Sequence, residues 1–167
     1  MSNILKDKAQ KIKLLLTDCD GVLTDGCVYY SERGEELKKF SLRDGMGVER
    51  LRTLCGIESG IITRENSEIV RRRGEKLKIT HLYLGAHNKK EKLLEILERH
   101  KLSVSEIAYI GDDTNDLEVL ELAGLSACPA DAFEPIKKSV HFICRSAGGA
   151  GAFREFAELI IHLRTEN

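Results

Sequence analysis

The sequence lacks several features that would fix its class at once. Its 5 cysteines form an odd set with no Cys-x-x-Cys pair, which excludes an orderly disulfide framework and a zinc knuckle. Cys19 and Cys144 sit in apolar, strand-like stretches and read as small buried hydrophobes. No charge of either sign predominates. The formal net charge is −1, so no basic surface for nucleic acid or anionic lipid is evident. The basic triplet Arg71-Arg72-Arg73 lies in a helical pattern broken by Gly74 and Glu75, and reads as a solvated face. No apolar run nears the roughly 20 residues that a membrane-spanning helix requires. The opening MSNILKDKAQKIK is charged and has no apolar stretch of the kind a secretory signal carries. The expectation is a cytoplasmic protein with neither nucleic-acid nor membrane partners.

Also missing are repeats, low-complexity segments and any linker. A chain of 167 residues suits a single core better than two. The expected organisation is one domain over 1–167. Along it, short β-rich runs alternate with helical patterns. Ile12 to Thr17, Gly56 to Thr63, Thr80 to Leu84, Ile107 to Ile110, Leu125 to Cys128 and Val140 to Cys144 read as strands. Helical patterns occupy about 45–55, 66–78, 88–100, 115–123, 131–138 and 150–164, and the period is clearest through Leu93, Leu94 and Leu97. Strands separated by helices of this length predict an α/β doubly wound parallel sheet. In such sheets, ligands bind beyond the carboxyl ends of the strands. Cys27 to Phe40 breaks the alternation. Its β-prone Val28, Tyr29 and Tyr30, with a turn at Glu32-Arg33-Gly34, predict a β-hairpin flap over about 27–40.

Acidic motifs close two of the predicted strands. Asp18-Cys19-Asp20-Gly21 ends the first. In extended chain, residues two apart share a face, so Asp18 and Asp20 can address one reaction centre, one as nucleophile and the other as proton shuttle. A strand-end acidic turn is the plain alternative. Gly111-Asp112-Asp113-Thr114-Asn115-Asp116 comes directly after the strand at 107–110. Magnesium binds through one or two carboxylates and keeps several waters. Asp18 and Asp112 can supply those carboxylates, with Asp113 and Asp116 orienting ligands around them. By itself this segment also fits a calcium-type loop or a capped helix start. Thr63 ends the second sheet strand and can donate its hydroxyl to a phosphate oxygen. Lys89 opens the helix after the third and can neutralise both phosphate and Asp18.

In this order the set resembles the haloacid dehalogenase superfamily. The resemblance implies that Asp18 is a nucleophile forming an aspartyl-phosphate and Asp20 the general acid/base. It also implies that Asp20 reaches the metal through its backbone carbonyl, that Asp112 is a metal carboxylate, and that Thr63 and Lys89 complete the phosphate site. Within the superfamily the chain is similar to the small, capless phosphatases of 2-keto-3-deoxy sugar acids. The stretches that carry this are DCDGVLTDG, the hairpin to KKF, SLRDG, IITRENSEIVRRR, AYIGDDTNDLEVL and GGAGAFREF. This closer resemblance implies a Mg²⁺-dependent phosphatase forming homotetramers through its hairpins. Its substrate would be 3-deoxy-D-manno-octulosonate (KDO) 8-phosphate, of lipopolysaccharide biosynthesis, with a nine-carbon KDN or sialic acid 9-phosphate as the alternative. A catalytically idle, phosphatase-like oligomerisation module is the non-enzymatic alternative. Arg64, Glu65 and Lys76 are the expected substrate contacts, with Arg154, after Gly148-Gly149-Ala150-Gly151, as a contributor to the substrate carboxylate or to a neighbouring subunit.

Overall fold

The structure, a computed structural model, describes residues 3–165. Six parallel strands, in the order β5-β4-β1-β6-β7-β8, form the main sheet. They are β1 (Leu14–Thr17), β4 (Glu58–Ile62), β5 (His81–Tyr83), β6 (Ile107–Ile110), β7 (Leu125–Cys128) and β8 (Phe142–Ile143). The chain steps outward from β1 through β4 to β5, then returns to the other side of β1 as β6. That reversal opens a crevice at the carboxyl end of the sheet centre.

Both faces of this sheet are covered, which is why β1, β6 and β7 read as unbroken apolar runs. Every residue of β1 is buried. Leu15 faces a core shared with Val48, Leu51, Phe153, Phe156 and Ile160. Leu14 and Leu16 face the opposite core, with Leu93, Ile96, Val119, Leu120 and Ile136. The first layer is supplied by α1 (Asn3–Lys11), α2 (Leu42–Cys55), α3 (Glu68–Lys76) and α7 (Ala152–Thr165), and the second by α4 (Lys89–His100), α5 (Leu117–Leu122) and α6 (Glu134–Lys137). Local chemistry sets the helix ends. The Ser41 side chain accepts from the Arg43 N–H at the start of α2, and Gly56 closes it in the left-handed region. Asn88 accepts from the Glu91 N–H to start α4. Each cap satisfies backbone groups that the helix itself leaves unpaired.

The hairpin consists of β2 (Thr24–Ser31) and β3 (Gly34–Phe40), a separate antiparallel sheet. It begins three residues earlier than the sequence pattern suggests. Tyr29, Tyr30 and Leu37 are 61%, 71% and 61% exposed, a large apolar display for a two-stranded ribbon.

Three elements depart from the sequence reading. Helix α1 forms in the charged opening segment, where no helix is expected and of which only Ala9 is buried. The helix expected over 131–138 shrinks to α6. Its upstream residues bond elsewhere: Ala130 N–H to Ser146 O, and Phe133 N–H to Asp112 O. The helix pattern at 115–123 opens with a 3₁₀ turn at Thr114–Asp116 before α5. Among the described residues no helix is long and apolar enough to cross a membrane.

Candidate active site

Asp18 immediately follows β1, and Asp112 lies two residues beyond β6. Because β1 and β6 are paired, with Thr17 opposite Ile110, the two acidic motifs meet at the crevice. Asp18 is 5% exposed. Its Oδ1 lies 2.8 Å from Lys89 Nζ and accepts from the Cys19 N–H at 2.7 Å. Lys89, at the first turn of α4, also reaches Asp116 Oδ1 at 2.7 Å. Asp116 is fully buried and is committed on every side. It accepts from the Tyr109 hydroxyl at 2.6 Å and from the backbone N–H groups of Asp112 at 3.1 Å and Asp113 at 3.4 Å. Asp116 therefore fixes Lys89, and Lys89 fixes Asp18.

Glycines permit this closeness. Gly111 leaves space for the Asp116 side chain, whose Cβ would lie 2.6 Å from a Cβ placed there. Gly148 and Gly149 pack against the loop after β1. A Cβ on the former would lie 2.0 Å from Gly21 O, and one on the latter 2.5 Å from Asp25 N. The Gly149 N–H donates to Val22 O at 2.9 Å, and the Gly148 N–H to Asp131 Oδ1 at 2.9 Å. In this chain the Gly-rich segment thus supports the Asp18–Asp25 loop from behind.

The carboxylates are held at high electrostatic cost. Burial, then the charge of Asp116, pushes Asp18 up to about 8 despite Lys89. Burial and Asp116 likewise push Asp112 up to about 7. Burial disfavours the Lys89 ammonium, but Asp18 and Asp116 together outweigh it and raise its pKa. Asp112 Oδ1 is buried with no hydrogen-bond partner. Asp18, Asp112 and Asp116 present carboxylate oxygens within 4.8 Å of one another. With Asp116 spent on Lys89 and Tyr109, Asp18 and Asp112 remain for a cation. An orphaned oxygen and two under-neutralised carboxylates fit a hard divalent ion such as Mg²⁺.

These groups open onto a cavity of about 520 Å³ that is also lined by Asp20, Thr63, Arg64, Glu65, Asp113, Asn115 and His87. Thr63 is 2% exposed and its Oγ1 accepts from the Glu65 N–H at 3.3 Å. Asp20 is bonded away from Asp18. Its Oδ1 accepts from the Thr24 hydroxyl at 3.1 Å and its Oδ2 from Lys38 Nζ at 2.7 Å. Asp113 is exposed and caps the 3₁₀ turn through its own side chain. Two expected substrate contacts do not line this cavity. Lys76 is exposed at the end of α3, outside the cavity wall. Arg154 is turned along α7, its Nε 2.7 Å from Glu158 Oε1. Sequence reasoning missed Lys38, Tyr109 and His87. The signal for Tyr109 was a hydroxyl inside an otherwise apolar buried strand. That for Lys38 was strand alternation on the hairpin, which turns it away from the exposed Leu37.

A buried carboxylate, a lysine and a cation-ready acidic pair at the carboxyl ends of a doubly wound sheet define a hydrolase centre built to receive a phosphate. A family profile described as haloacid dehalogenase-like hydrolase matches residues 50–155, and the chain belongs to that family. It is similar to the 3-deoxy-D-manno-octulosonate 8-phosphate phosphatase KdsC of Escherichia coli strain K12, with 42% identity over 154 residues, 92% of this chain and 81% of the relative. Among solved structures, the 3-deoxy-D-manno-octulosonate 8-phosphate phosphatase from Yersinia pestis superposes with a TM-score of 0.93 at 37% identity, covering 98% of this chain and 88% of the other. The Moraxella catarrhalis enzyme of the same name, in complex with magnesium ion, phosphate ion and KDO, gives a TM-score of 0.93 at 35% identity, covering 98% and 94%.

Proposed function

We propose that this chain hydrolyses the phosphomonoester of KDO 8-phosphate to KDO and phosphate, with Mg²⁺ and through an aspartyl-phosphate on Asp18. The observation that carries the reading is the convergence of Asp18, Lys89 and Asp112 at one end of β1 and β6. Asp18 Oδ attacks phosphorus, and the ester P–O bond breaks with its electron pair going to the sugar oxygen. Asp20 gives that oxygen its proton. Asp20 then takes a proton from water as the water oxygen bonds phosphorus, and the acyl-phosphate bond breaks to return the electron pair to Asp18. Lys89 and the Thr63 hydroxyl hold phosphate oxygens. The Asp18 and Asp112 carboxylates and the Asp20 backbone carbonyl would hold Mg²⁺, which would supply charge neutralisation between the approaching carboxylate and phosphate. Asp113 and Asp116 orient these groups.

Arg64 and Glu65, at the cavity wall, are the substrate contacts this reading assigns within one chain. Lys76 and Arg154 contribute only if a neighbouring subunit brings them to another copy's site. The whole of 1–167 acts as one phosphatase domain with its hairpin flap, in a homotetramer in the cytoplasm. The position of Glu65 on the cavity is what favours the nine-carbon KDN or sialic acid 9-phosphate as second substrate. An idle oligomerisation module has no use for the costly acidic cluster. Phosphate release from a panel of sugar-acid phosphates tests the assignment. KDO 8-phosphate should have the highest kcat/KM, and Arg64→Ala should lower it by about one to two orders of magnitude through loss of a charge-assisted hydrogen bond. A tenfold preference for a nine-carbon phosphate would replace the substrate.

A further inference from the structure

The hairpin contributes one side chain to the centre that the phosphatase mechanism leaves without a role. Lys38 lies on β3, yet its side chain is only 2% exposed. Its ammonium sits 2.7 Å from Asp20 Oδ2, with Glu35 Oε1 at 3.6 Å as a second partner. The other Asp20 oxygen accepts from Thr24. Thr24 is fully buried and its hydroxyl oxygen in turn accepts from the N–H groups of Gly26 at 3.2 Å and Gly21 at 3.4 Å. A free aspartate at a cavity wall would rotate about both of its side-chain torsions. Here each oxygen is tied, one to the loop and one to the flap.

We propose that Lys38 is a positioning residue for Asp20, holding it as the base that activates water in the second half of the reaction. The inference rests on the phosphatase reading. A lysine bonded to one Asp20 oxygen, with Thr24 bonded to the other, fixes the direction of the carboxylate that must accept the proton. Where the leaving group needs no proton, the half-reaction that hydrolyses the aspartyl-phosphate is the one that uses Asp20, and it depends on Lys38 more than the half that forms it. The flap and the chemistry are mechanically joined, because whatever holds β2 and β3 in place also holds Lys38.

p-Nitrophenyl phosphate separates the two halves. Its leaving group departs as a stable phenolate and needs no proton, so nitrophenol appears in the first turnover whatever Asp20 does. Later turnovers wait for water to clear Asp18. Rapid mixing of wild-type protein with Mg²⁺ and this substrate comes first, and absence of any turnover there would refute the phosphatase reading itself. With wild type active, Lys38→Met should keep a first-turnover rate within about twofold. Its steady-state rate should fall about 10–100-fold, the usual loss when a supporting partner is removed, so that a burst appears or grows. Lys38→Arg should show the same split to a smaller degree. Equal falls in both phases, a change confined to KM, or no change would each overturn the proposal. If Lys38→Met does not fold, Lys38→Arg decides alone by the same split.

Discussion

Gly21 and Asp112, from motifs far apart in the chain, share one small space: a Cβ on Gly21 would lie 2.0 Å from Asp112 Oδ2. The glycine also sits at φ +87°, a backbone region that side chains rarely tolerate. Gly21→Ala must therefore either push Asp112 aside or twist the loop that carries Asp18 and Asp20. The expected outcome is a folded protein with kcat/KM lowered by about 100-fold or more, the scale of a 1 Å misplacement in a catalytic array, and a higher Mg²⁺ requirement. Mg²⁺ titrations of activity check both effects, and a variant matching wild type in each would contradict the geometry.

Lys89 bonds both Asp18 and Asp116. Replacing it by Met leaves buried carboxylates facing each other. Breaking a buried charge network by removing one partner costs about 3–5 kcal/mol, so Lys89→Met should unfold at distinctly lower denaturant and lose turnover. Adding Asp116→Asn should recover part of the stability and none of the activity. Urea melts of the single and double variants, with Mg²⁺ absent, provide the comparison.

Asp44 supplies a pH signature away from the metal ligands. It is 2% exposed. Its Oδ1 accepts from the Arg154 N–H at 2.9 Å while its Oδ2 has no partner. Burial pushes it from 3.8 up to about 6, against that hydrogen bond. The folded state thus holds its proton more tightly than the unfolded state. The contribution to stability is complete below pH 3.8 and is lost as pH rises through about 6. Asp44→Asn should remove this component, on the order of 3 kcal/mol. Melting wild type and variant at pH 4, 5, 6 and 7 measures it, and parallel curves would contradict the assignment.

The main sheet was legible because β1, β6 and β7 are buried on both faces and leave long apolar runs. Asp18, Thr63 and Asp112 were legible because each follows such a run, and Lys89 because it opens the helix after β5. What hid from the sequence depends on contacts between distant segments. Asp116 reads as a group orienting ligands, but the bridge it forms between Lys89 and Tyr109 joins segments that the sequence does not show together. Gly148 and Gly149, read with Arg154 as a substrate or interface stretch, also brace the loop after β1, a contact that the sequence pattern does not carry. Helix α1 buries only Ala9, so its pattern in sequence is that of a charged tail.

The hairpin's exposed Tyr29, Tyr30 and Leu37 are the basis for expecting assembly. Fully burying a large apolar side chain gives about 1.5–3 kcal/mol, and four hairpins meeting would cover these residues together. Light scattering should give four chains of 18.7 kDa per particle. Leu37→Lys with Tyr29→Lys should dissociate it. A wild-type monomer at micromolar concentration would remove the tetramer from the account.

Asp18 carries the central chemical claim, phosphate transfer from KDO 8-phosphate. Its most direct measurement is phosphate release from that compound by wild-type protein and by Asp18→Asn, each with Mg²⁺ and with excess chelator. The account predicts Mg²⁺-dependent release by wild type, abolished by chelator and restored by added Mg²⁺, and none by a folded Asp18→Asn. Release by Asp18→Asn near the wild-type rate, or full activity in excess chelator, would contradict it.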